Sequence, residues 1–170
     1  MQKMTSAYAN KLLKSLEDEK AFLVNKENSS NTYVAAINEE PVIPEYDYAE
    51  TAGAIEAIDE KIAVIKHALN LSNATAKVQV GEKVMTVDTI LIRMAQLNRR
   101  KLILDMLRKQ LPKSREDIRY AQRNAVPEYR YVNYDLDLVK SEFDRISQVI
   151  MDMQMALDKY NQTEMFDVEI

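Results

Sequence analysis

From Val139 to Tyr160, the side chains Val139, Phe143, Ile146, Ile150, Met153, Leu157 and Tyr160 recur at alternating spacings of four and three residues. A rhythm of that kind, held for three repeats, belongs to an α-helix with a narrow apolar seam. Asp135 stands where its carboxylate can cap the start of this helix. A second seam, Thr51, Ile55, Ile58, Ile62, Ile65 and Leu69, predicts a helix from Asp47 to about Leu71. Seams this narrow call for partner helices. Glycine occurs only twice, at Gly53 and Gly81, and proline four times, too few for the many tight turns of a β-sandwich or barrel.

The rest of the chain fits the same class. Tyr8, Leu12, Leu16 and Leu23, widened by Leu13, Phe22 and Val24, predict an amphipathic helix from Thr5 to about Asn25. Pro41 and Pro44 break any helix over the next stretch, so 25–46 is expected to be a long loop. A third helix is expected from Asp88 to Leu111, stopping before Pro112, with Ile90, Leu91, Met94, Leu97, Leu104, Leu107 and Leu111 as its apolar side. Valines flank Gly81 within 75–87, which predicts a β-hairpin. An extended piece, Glu128–Tyr134, is expected to pair with that hairpin. The expectation is therefore a mainly α, single domain over 1–170: an antiparallel bundle of about four helices with a small β element.

Composition removes several kinds of chemistry. There is no cysteine, hence no disulfide, thiolate metal site or cysteine nucleophile. Met1–Thr5 leads into polar sequence without an apolar h-region, and no stretch approaches about 20 apolar residues, so neither export nor membrane spanning is expected and the chain is placed in the cytoplasm. The lone histidine, His67, has no evident nucleophile or orienting acid and reads as structural or surface. The acidic groups Glu17-Asp18-Glu19 and Glu56, Asp59, Glu60 read as solvated faces. No P-loop, dinucleotide fingerprint, Glu-x-x-His pair or zinc spacing is present, and no cofactor or metal is expected.

Charge is unevenly spread. Arg93 to Arg130 holds eleven basic and four acidic residues, a net +7, leaving twelve basic and twenty-three acidic residues elsewhere, a net −11. Such a split suits either an anionic partner or neutralisation between helices or subunits. The connection 113–134 is rich in arginine and tyrosine. Guanidinium groups match phosphate oxygens and tyrosine rings can stack on a base. Arg119, Arg123 and Arg130 are expected to hold phosphate and Tyr120, Tyr129 and Tyr131 to stack, with Arg99, Arg100 and Arg115 as further ligand-binding candidates.

Leu69-Asn-Leu-Ser-Asn-Ala-Thr-Ala-Lys-Val, Gly81, the helix start Thr86–Leu91 and Arg99-Arg100 together resemble the septicolysin-like family of small bacterial helical proteins. Tyr129–Val139 and the loosely spaced Asn161, Thr163 and Asp167 extend the likeness over roughly the last 100 residues. The resemblance implies an all-α, oligomeric subunit with a small β element, and it brings no catalytic residue.

Two functions follow as expectations. One is a non-enzymatic homo-oligomer that captures a small anionic, nucleotide-like ligand, as a sensor or as a sponge of the sort phages use against host defence. The other is a structural or adaptor protein that assembles through its helix seams, Ile146 and Ile150 included, with no small ligand. Nucleic acid is disfavoured by the net charge of −4. A phosphate-ester hydrolase or transferase would need a metal or base that the sequence does not display.

Overall fold

The computed structural model describes residues 1–116 and 126–170. The elements run β1 (Gln2–Thr5), α1 (Ser6–Ser30), α2 (Tyr48–Thr75), β2 (Lys77–Val80), β3 (Lys83–Thr86), α3 (Val87–Arg108), β4 (Lys113–Arg115), β5 (Tyr129–Tyr131), α4 (Leu136–Thr163) and β6 (Met165–Val168). The chain is mainly helical, with four helices and small antiparallel two-stranded sheets among the described residues. Its contacts group it into two compact units: Met1–Lys77 with Leu157–Ile170, and Val78–Ala156.

In the first unit, α1 and α2 lie antiparallel. Lys20 Nζ reaches Asp59 at 2.6 Å and Lys66 Nζ reaches Glu17 at 3.0 Å, so two of the acidic residues expected only on solvated faces join helices. Between the helices, Ala9, Leu13, Leu16, Ile58 and Ile65 pack with Met4 and Val168 into one core. Each buried Leu or Ile contributes about 1.5–3 kcal/mol relative to exposure. Thr5 caps α1 by accepting from the Tyr8 N–H at 3.2 Å, and Asp47 caps α2 by accepting from the Glu50 N–H at 2.9 Å. The loop expected at 25–46 starts later, because α1 continues to Ser30.

Met1–Thr5 does not open as helix. Gln2–Thr5 pairs antiparallel with Met165–Val168, Gln2 opposite Val168 and Met4 opposite Phe166. Alternation along both strands turns Met4 and Val168 into the core. The Ser72 and Tyr160 hydroxyls, 2.7 Å apart, join the last turns of α2 and α4.

The second unit contains the expected hairpin. β2 and β3 flank Gly81, whose φ of 57° lies in the left-handed region that a two-residue turn requires. Val78, Val87, Ile90, Leu104, Ile146 and Met153 are its buried apolar side chains among the described residues. Asp135 caps α4 as expected, accepting from the N–H groups of Asp137 and Leu138 at 2.9 and 3.0 Å. The second extended piece pairs differently from the expectation. β5 joins β4, and β2 with β3 forms a separate sheet, because the 113–115 strand offers an antiparallel partner on the other side of the same connection.

Candidate functional site

The β4–β5 hairpin carries most of the described arginine and tyrosine candidates. Lys113 lies opposite Tyr131, Ser114 opposite Arg130 and Arg115 opposite Tyr129. Two further backbone bonds, Glu116 N–H to Glu128 O at 2.9 Å and Val132 N–H to Pro112 O at 3.3 Å, lengthen the ladder. Since successive side chains on a strand take opposite faces, Tyr129 and Tyr131 share one face with Lys113 and Arg115 while Arg130 falls on the other. The Lys113 ammonium sits 4.2 Å from the Tyr129 ring centre and 5.5 Å from that of Tyr131, so a cation already occupies the aromatic surface proposed for a base.

On the opposite face, Arg130 donates to both carboxylate oxygens of Glu116 at 2.9 and 2.6 Å. The hydrogen bonds from Arg130, more than its charge, hold the Glu116 carboxyl below the usual carboxylate range, and the same bonds raise the Arg130 guanidinium above its ordinary value. The hairpin thus separates the Arg130 phosphate-holding role from the tyrosines that were to stack. Arg119, Tyr120 and Arg123 lie outside the described residues. Arg99 and Arg100 stand exposed on α3 and share no hydrogen bond or ion pair with the hairpin among the described residues. Arg100 acts instead on α4, where its charge adds to the hydrogen bond from Arg145 in lowering the Glu142 carboxyl.

In the first unit, α2 and β6 bound a hollow of about 720 Å³ lined by residues that include His67, Leu71, Ser72, Phe166, Asp167 and Glu169. It escaped the sequence reading because β6 was not foreseen. No group of three His, Cys, Asp or Glu residues among the described residues could hold a metal ion.

The helix α3 departs most from its expected role. Ile90 and Leu104 are buried, whereas Leu91 is 48% exposed and Leu111 66% exposed, so both leave the apolar side assigned to them. Phe143 of α4 lies beside α3, with the Arg108 guanidinium 3.8 Å and the Lys101 ammonium 5.2 Å from its ring centre, and it lines a hollow with Asn98, Leu102 and Asp105. The Tyr134 hydroxyl donates to the Leu107 carbonyl at 2.8 Å. A second apolar line, Leu91, Ala95, Leu102 and Met106, falls within about 60° of arc on an ideal helix, with Ile92 and Ile103 at its margin. All six are exposed. Periodicity could have revealed this line, because α3 is apolar on more than one side.

No family model, curated protein or solved structure matches this chain. No helix among the described residues is long and apolar enough to cross a membrane.

Proposed function

We propose that this chain is a non-catalytic helical protein that works by assembling with further copies of itself. The observation that carries the proposal is the exposed apolar line of α3, on a helix whose other side is already buried. An apolar line of this kind favours association when a partner removes it from water. Light scattering coupled to size-exclusion chromatography is the test: a defined multiple of 19.6 kDa supports the proposal, and a monomer throughout the micromolar range overturns it.

Capture of a small anion is the second reading, supported by Lys113 and Arg115 sharing one exposed hairpin face with Tyr129 and Tyr131. Arg115 makes no ion pair among the described residues, leaving its planar fork open to a phosphate. Calorimetric titration with nucleoside mono-, di- and triphosphates tests it. Binding that is lost in Arg115→Ala supports this reading, and absence of binding by the unaltered protein removes it.

A further inference from the structure

Along α3, polar residues punctuate the exposed apolar line in an order that reads alike from either end. Asp88 begins it, Leu91 and Ala95 follow, Asn98 and Arg99 occupy the middle, then come Leu102, Met106 and finally Lys109. The spacing keeps Asp88, Leu91, Ala95, Asn98, Leu102, Asp105 and Lys109 on a heptad seam, with Met106 beside Asp105. A second copy of the helix laid antiparallel across this seam, centred between Asn98 and Arg99, would bring Asp88 opposite Lys109, Leu91 opposite Met106 and Ala95 opposite Leu102, each pairing occurring twice.

We infer that the assembly proposed above is built on a two-fold contact between α3 helices of two copies, antiparallel and in this register. The inference rests on that assembly reading. A two-fold interface must be complementary to itself, with each contact repeated by symmetry. The α3 seam meets this requirement in volume, through small Ala95 against larger Leu102, and in charge, through Asp88 and Lys109, although within its own helix Lys109 also reaches Asp105 at 2.5 Å and the Asp88 carboxylate accepts from the Thr89 N–H at 2.6 Å. A parallel arrangement would set Asp88 against Asp88, Arg99 against Arg99 and Lys109 against Lys109, and would align the helix dipoles.

In the antiparallel arrangement, Asn98 stands next to Arg99 of the other copy at the two-fold. Its amide oxygen is an acceptor for the guanidinium. One polar amide within an otherwise apolar seam is a known means of selecting register and partner number. The arginine stem can cover apolar surface while its head reaches water.

The area is sufficient for a specific contact. The exposed parts of Leu91, Ile92, Leu102, Ile103 and Met106 range from 43% to 68% of each residue. With their symmetry mates and the flanking stems, burial would be on the order of 1,000 Å², where specific interfaces begin.

The absence of cysteine from the chain makes the register measurable by thiol cross-linking. Chains carrying Ala95→Cys are mixed with chains carrying Leu102→Cys, and each variant is also oxidised alone, with helicity checked by circular dichroism. Both positions are exposed, so neither variant alters the core. The inference expects a covalent dimer in the mixture at least tenfold more abundant than in Leu102→Cys alone. A dimer of the unaltered protein in light scattering without the mixed cross-link would overturn the α3 register and leave assembly standing. Equal cross-linking of Leu102→Cys by itself would indicate a parallel contact and also overturn it. A monomeric unaltered protein would remove both readings.

Discussion

Arg130 and Glu116 face each other across the β4–β5 hairpin through two hydrogen bonds of 2.9 and 2.6 Å. The side chain with the most obvious claim on a phosphate therefore has a carboxylate within the same hairpin. The Glu116 carboxyl is lower in the folded protein than its ordinary value, chiefly through the hydrogen bonds from Arg130. A carboxyl lowered on folding adds stability above its unfolded value, and that contribution disappears as the pH falls through the lower folded value. Replacing Glu116 by Gln is expected to reduce the melting temperature slightly at neutral pH and to leave it unchanged well below the ordinary carboxylate value. Melting curves over an acid series check this; an equal loss at every pH would place the effect elsewhere.

Tyr160→Phe removes the hydroxyl that meets Ser72 at 2.7 Å while preserving the ring, which is 7% exposed. The expected cost is about 1 kcal/mol, the usual net worth of one hydrogen bond. In a protein of this size that lowers the melting temperature by about 2–4 °C. Denaturant unfolding of Tyr160→Phe beside Ser72→Ala and the double variant separates the pair from its surroundings. Additive costs would show that the two hydroxyls do not interact.

Gly81→Ala tests backbone conformation without a steric complication. A Cβ at this position would meet nothing within 4 Å, yet φ is +57°. The cost is therefore conformational, about 1–2 kcal/mol for an L-residue in the left-handed region. Gly81→Asn, whose side chain tolerates that region better, is expected to lose less in the same thermal melt. Equal stability of Gly81→Ala and the unaltered protein would contradict the turn geometry.

Ser6 is 2% exposed, and its hydroxyl has no hydrogen-bond partner among the described residues. Burying such a group costs free energy that an alanine avoids, and alanine is also the stronger helix former. Ser6→Ala is expected to raise stability by about 1 kcal/mol in urea unfolding. A loss of stability would mean that the hydroxyl finds a partner in solution.

The features legible in the sequence were those whose physics is local. The seams at Thr51–Leu69 and Val139–Tyr160 lie on helices, and Ile58, Ile65, Ile146, Met153, Leu157 and Tyr160 are buried along them. Asp135 caps the helix that it precedes, and the helix expected from Asp47 begins there, while Gly81 turns the hairpin, because a cap or tight turn is decided within a few residues of itself.

Contacts between distant segments were the part only tertiary structure decided. Gln2–Thr5 is a strand because Met165–Val168 lies beside it, and neither segment contains a signal for the other. β5 could form backbone bonds with any neighbouring strand, and proximity selected β4. The charge of Arg130 was evident from sequence, but its pairing depended on which face of the hairpin held Glu116. Leu91 and Leu104 are alike in composition and helical setting. One is exposed and the other buried because periodicity defines the faces of a helix, while the choice of face to bury depends on what packs against it.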